Sequence, residues 1–205
     1  LGLSVHMDGA RVLNAAVATG IPVSDYASMH DSAWLAFTKG LGCPVGAVLA
    51  GSKDFIREAW HFKRMFGGAM RQTGVLTGMC LYALDHHVER LSEDHARAKR
   101  IETFLNDCEL FSRVLPVDTN IVLAEISADA GLTAPELRDF LAKQNVQVMA
   151  VGRDRLRMIT HLDSDDVAVD RLFEAMETAE SVKIEPATGD KKTETISRYP
   201  GPGIN

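Results

Sequence analysis

The sequence is poor in cysteine, with only Cys43, Cys80 and Cys108 among 205 residues. Their number is odd and their spacing wide, which excludes a disulfide framework and a paired metal-ligand motif. A reducing, cytoplasmic setting is the expectation. Positive charge is also in deficit: 22 Lys and Arg face 28 Asp and Glu, for a net charge of −6. Such a surface repels phosphate backbones, so no nucleic-acid partner is expected. No apolar run approaches the roughly 18 residues of a membrane span, so no membrane partner is expected either. A basic segment, an apolar stretch and a cleavage pattern, the marks of a signal peptide, do not occur at the start. The first residue is Leu1 rather than Met, and residues 3–7 read as a strand already under way. The chain is therefore expected to begin inside a larger fold. What is present, 46% apolar and 24% charged residues, is ordinary globular composition, enough for one large domain or two small ones.

Turn and periodicity signals divide the chain. Residues 3–7 are a short apolar run closed by Asp8-Gly9, a strand followed by a turn. Residues 10–19 carry Val12, Leu13, Ala16 and Val17 at helical spacing, and Gly20 stops them. Strands are expected over 32–38 and 45–50, and a helix over 53–66. Residues 71–105 read as largely helical, with one amphipathic pattern through Leu81, Leu84, Val88, Leu91 and His95. Beyond residue 109, strands are expected over 120–125, 146–149 and 155–160. A helix is expected over 133–143, with Thr133 and Glu136 at capping-box spacing, and a last helix to 181 capped by Ser164. The alternation argues α/β architecture. Residues 183–205 are polar, end in Pro200-Gly201-Pro202-Gly203, and are expected to be disordered.

Two segments carry candidate chemistry. His6-Met7-Asp8-Gly9-Ala10-Arg11 lies at a strand-to-helix turn, and Phe37-Thr38-Lys39-Gly40-Leu41-Gly42-Cys43-Pro44 lies at a strand end. Ligands of α/β sheets gather at the carboxyl ends of strands, so Asp8 and Lys39 could face one pocket. A lysine amine and a carboxylate are the pair that pyridoxal 5′-phosphate (PLP) needs. The amine forms an imine with the cofactor aldehyde, and the carboxylate keeps the pyridine nitrogen protonated so that the ring can accept carbanion charge. Gly40 and Gly42 would permit close approach and unusual backbone angles beside the lysine.

The motif His-Met-Asp-Gly-Ala-Arg at 6–11, followed by Asn14-Ala15-Ala16-Val17, resembles the aspartate motif of the threonine aldolase family. Thr38-Lys39-Gly40-Leu41-Gly42 with Pro44-Val45-Gly46 is similar to that family's lysine motif. Gly67-Gly68-Ala69-Met70-Arg71-Gln72 resembles its glycine-rich segment, with Ala69 where the family usually has glycine. Asp118-Thr119-Asn120-Ile121-Val122 and Arg157-Met158-Ile159-Thr160-His161 resemble two small-domain strands. The motifs follow the family order from residue 1 to about 180.

The resemblance implies an aminotransferase-like PLP fold (fold type I). Residues 1–95 would be the C-terminal part of the large domain, and residues 96–182 a small C-terminal α/β domain. It implies Lys39 as the Schiff-base lysine, Asp8 on the pyridine nitrogen, and Arg11 and Arg157 on the substrate α-carboxylate. Arg71 would serve the cofactor phosphate or a neighbouring subunit. The implied activity is cleavage of L-threonine or a related β-hydroxy-α-amino acid to glycine and an aldehyde by a homo-oligomer, a dimer or tetramer. Another PLP enzyme of this fold, a β-eliminating lyase or an aminotransferase, is the alternative, and a non-catalytic remnant is a third reading. The family's phosphate-binding loop has no counterpart here, so the isolated chain is expected to bind PLP weakly and to be nearly inactive. The general base is not identified. His6 could orient Asp8, while His86 and His87 are expected mid-helix in solvent and His161 packed at a strand end. Cys43 replaces the small residue of relatives, and Cys80 is expected in the core.

Overall fold

A computed structural model describes residues 2–182, so the expectation for 183–205 lies outside the described residues. The described chain forms two compact units. The first comprises residues 2–96 with Asp118–Asn120 and His161–Asp163, and the second residues 97–117, 121–160 and 164–182.

The first unit opens with strand β1 (His6–Asp8), helix α1 (Val12–Thr19), helix α2 (Val23–Ser28) and strands β2 (Ser32–Ala36) and β3 (Ala47–Gly51). The three strands form one sheet in chain order. β1 pairs with β2 in parallel and β3 with β2 in antiparallel, in registers that match Asp8 to Trp34 and Leu35 to Val48. Gly20 ends α1 in the left-handed conformation that suits glycine, donating its N–H to the Ala16 carbonyl. Helix α3 (Lys53–Met65) is started by the Ser52 hydroxyl, which accepts the Phe55 N–H, and carries Lys63 and Arg64 in its last turn, where cations suit the helix dipole. The expected helix over 71–105 is two helices, α4 (Gly74–His86) and α5 (Leu91–Asn106), because the chain turns at residues 87–90. A small core of Phe37, Leu41, Cys43 and Ala83 sits under the β2–β3 loop. All five residues of β3 and every residue from Trp60 to Val75 are exposed.

The second unit is an antiparallel four-stranded sheet in the order β4 (Phe111–Val114), β5 (Ile121–Ile126), β7 (Arg155–Ile159), β6 (Met149–Val151). Helices α6 (Ala134–Lys143) and α7 (Asp166–Ser181) complete it with the later part of α5. Thr133 and Glu136 make the expected capping box at the start of α6. The last helix is capped by Asp165, whose carboxylate accepts the Ala168 N–H, rather than by Ser164. Strand alternation is strict on β5 and β7: Val122, Ala124, Ile126, Leu156 and Met158 are buried, while Leu123, Glu125, Arg155 and Arg157 point the other way. Leu105, Leu137, Leu141 and Leu156 are fully buried in this core. At about 1.5–3 kcal/mol for each such side chain, the four give this unit a hydrophobic driving force that the first unit's smaller core does not match.

Candidate active site

Asp8 ends β1 and Lys39 lies in the loop that follows β2, so both stand at the carboxyl ends of neighbouring parallel strands. Register partners in a sheet project to the same face, which puts the Asp8 and Trp34 side chains together. The Lys39 ammonium rests over the Trp34 indole, 5.3 Å from the ring centroid. The amine and the carboxylate therefore share one face of the sheet. The Ala10 N–H donates to one Asp8 carboxylate oxygen at 3.2 Å, an Asx turn that leads into α1. Arg11 is half-buried at the N-terminal end of that helix. The two motifs pack together: residues 9–14 and Gly40-Leu41 line a crevice of only about 10 Å³.

The Lys39 loop is closed by backbone hydrogen bonds. Phe37 N–H donates to the Gly46 carbonyl at 3.0 Å, Cys43 N–H to Phe37 at 2.9 Å, and Gly42 N–H to Lys39 at 2.9 Å. Gly42 has φ +70°, and a Cβ on Gly40 would lie 2.8 Å from Leu91 and 3.2 Å from the Asn14 amide oxygen. The first position needs the left-handed freedom of glycine and the second its lack of bulk.

Two supports of this loop escape sequence reasoning. His87 is not mid-helix in solvent: it caps the end of α4, is half-buried, and donates its Nδ1–H to the Leu41 carbonyl at 2.7 Å. Only its neighbour His86 is exposed. Asn14, 3% exposed, points its Nδ2–H at His95 Nε2 at 3.2 Å, beneath Gly40. Burial holds the His95 pKa below its ordinary value, against an opposing pull from the Asp94 carboxylate, so the ring stays neutral and its Nε2 can accept this bond. A buried Asn inside Asn14-Ala15-Ala16-Val17 was the one available signal, since polar side chains on an apolar helix face are buried only with a partner.

The remaining candidates fall elsewhere. His6 bonds Ser32 Oγ at 2.8 Å, not Asp8, so it supports the β1–β2 pairing rather than the carboxylate. Arg71 is exposed in the linker between α3 and α4, next to Gln72 at φ +53°. Arg157 belongs to the second unit, on the half-buried outer face of β7. Its neighbour Arg155 pairs with Glu125 across the strands, whereas Arg157 has no carboxylate partner among the described residues. His161 is exposed, with its Nδ1 accepting the Asp163 N–H at 3.2 Å. No group of three or more metal-ligating side chains is found among the described residues.

The donor set suits PLP: a primary amine for the aldehyde and a carboxylate for the pyridine N–H share one face at strand ends.

Comparison with known proteins gives the same direction. The family described as beta-eliminating lyase matches residues 1–129. The low specificity L-threonine aldolase of Escherichia coli strain K12 is 37% identical over 161 residues, covering 78% of this chain and 46% of that protein. The chain thus spans about half the length of the curated relatives it matches. Among solved structures, Leishmania major threonine aldolase superposes with a TM-score of 0.66 at 18% identity, over 87% of this chain and 52% of that one. Oryza sativa TDC with PLP and tryptamine superposes with a TM-score of 0.68 at 22% identity, over 90% and 43%. These two likenesses establish the fold: the aminotransferase-like α/β arrangement of PLP enzymes, fold type I.

Proposed function

The chain belongs to the beta-eliminating lyase family, whose cofactor is PLP, and from that premise we propose that it carries the Lys39 side of a threonine aldolase active site. The substrate class is L-threonine or a related β-hydroxy-α-amino acid, cleaved between Cα and Cβ to glycine and an aldehyde. The observation that supports this reading best is the common face shared by Asp8 and Lys39. The threonine aldolase relative supports this reaction over the alternatives, because fold alone does not separate lyases from aminotransferases.

Lys39 would hold the cofactor through its amine and release it when a substrate amine takes that place. Asp8 would accept the pyridine N–H. One of its oxygens is already fixed by the Ala10 N–H, which sets the plane of the carboxylate. When bound, the cofactor supplies an electron sink for the charge left at Cα. Arg11, at the start of α1, would hold the substrate α-carboxylate, a role that the family resemblance gives to Arg157 as well. A guanidinium fork can grip a carboxylate with two parallel hydrogen bonds. Arg71 would reach the cofactor phosphate or a neighbouring subunit.

The isolated 205 residues should turn threonine over barely or not at all. The exposed β3 strand and the exposed apolar side chains of Trp60, Phe66 and Val75 are surface that a functional assembly, a homo-oligomer in this reading, would cover. Turnover at an ordinary enzymatic rate by the isolated chain would contradict this. In the complete protein, threonine-dependent release of acetaldehyde, coupled to an NADH-linked reductase, tests the reaction. Asp8→Asn should lower that rate by orders of magnitude with substrate binding less affected. An unchanged rate would remove Asp8 from its role, and keto-acid-dependent amine transfer without acetaldehyde would favour an aminotransferase.

A further inference from the structure

We propose that Cys43 and Cys80 are an oxidisable dithiol that reacts with a small disulfide of the glutathione class and closes into a disulfide joining the Lys39 loop to α4. The two cysteines are 37 positions apart in the chain and meet because α4 packs behind the loop. The Cys43 thiol donates to the carbonyl of Met79, the residue before Cys80, at 3.6 Å. The Cys80 thiol donates to the carbonyl of Val45, two residues beyond Cys43, at 3.8 Å. Cys80 packs against the small core that contains the buried Cys43. Gly46 keeps this arrangement open, since a Cβ there would lie 3.1 Å from the Cys80 sulfur.

A disulfide needs the sulfurs about 2.05 Å apart, so the thiols must draw closer. The Cys43 segment can give: it lies between Gly42 at φ +70° and Gly46 at φ +132°. Cys80 is only half-buried, and the Cys43 side of the pair faces an open cavity of about 450 Å³ lined also by Pro44, Met79, Tyr82 and His87. That lies within the roughly 300–1,000 Å³ typical of small-molecule pockets. Burial pushes the Cys43 thiol up, with the Cys80 thiol adding to the effect, which makes Cys43 the poorer first nucleophile. Cys80, half-buried, attacks first. Its thiol loses a proton and its sulfur displaces one glutathione from glutathione disulfide, leaving a mixed disulfide. Cys43 then loses its proton to solvent, attacks the Cys80 sulfur and releases the second glutathione. Two protein thiols are oxidised and one glutathione disulfide is reduced to two thiols, with no other reactant. No step involves PLP, so the inference stands or falls apart from the proposed function.

The test incubates the folded chain with glutathione disulfide, blocks remaining thiols, and reads intact mass and a non-reduced peptide map. The expected product has lost two hydrogen atoms, carries one link between the Cys43 and Cys80 peptides, and returns to two thiols with dithiothreitol. Cys108 serves as the internal control. It is buried, and burial pushes its thiol up to about 12, so it should remain a free thiol. Cys43→Ala should keep one glutathione on Cys80 and form no link. Two free thiols at 43 and 80 after incubation, a glutathione retained on each, or a link through Cys108 would each overturn the proposal.

Discussion

Replacing His87 tests whether α4 holds the Lys39 loop. In His87→Phe the ring remains to pack at 5.6 Å from Tyr82, but the donor to the Leu41 carbonyl is gone. A neutral hydrogen bond is worth about 0.5–1.5 kcal/mol net, and an orphaned buried acceptor costs about 1–3 kcal/mol. Leu41 is 3% exposed, which argues for the upper range, but His87 is only half-buried, so water can take part of the donor's place. The balance is about 1 kcal/mol, close to a fivefold shift in the opening equilibrium of the loop. The three backbone bonds that close the loop remain, so it should loosen rather than unfold. Amide hydrogen exchange reads this directly. The Gly42 and Cys43 amides should exchange about fivefold faster in His87→Phe, while amides of the second unit stay unchanged. His87→Asn places an amide N–H where Nδ1 was and should restore most of the protection. Equal exchange in wild type and His87→Phe, or an Asn variant as open as the Phe variant, would refute the reasoning.

Two further outcomes follow from the same region. Gly40→Ala should destabilise the first unit by about 1–3 kcal/mol in urea unfolding, because the added methyl meets Leu91 at 2.8 Å; an unchanged midpoint would contradict it. The His95 pKa lies below its unfolded value of 6.5, so the unfolded state binds the proton more readily. Its stabilising share is therefore complete above pH 6.5 and is lost as pH falls from 6.5 through the lowered folded value. Urea midpoints of wild type across that window should fall with pH, and His95→Gln should flatten that part of the profile.

Much of the fold was legible where local chemistry and tertiary structure agree. The Asp8-Gly9 turn, the Gly20 stop and the Thr133–Glu136 capping box are set by neighbouring residues alone, and each stands where the sequence puts it. The break between α4 and α5 was not legible. Val88 and Leu91 continue the amphipathic pattern across it, and no Gly or Pro marks the turn. Strand β4 was missed because Phe111-Ser112-Arg113-Val114 offers only two apolar residues, and its pairing with β5 has an irregular register. Helix α2, six residues long, is too short for periodicity to reveal. At the site, Asp8 and Lys39 could be singled out because strand ends concentrate ligand chemistry. His87 could not, because its partner is a backbone carbonyl 46 positions away, and helix periodicity carries no information about that carbonyl.

The central claim is that the Lys39 amine holds the cofactor. Adding PLP to the protein, reducing with borohydride and mapping the phosphopyridoxyl group by peptide mass spectrometry measures it directly. The label should fall on the Lys39 peptide and be lost in Lys39→Ala, with Lys53 and Lys63 unlabelled as internal controls. A label of undiminished yield in Lys39→Ala would contradict it.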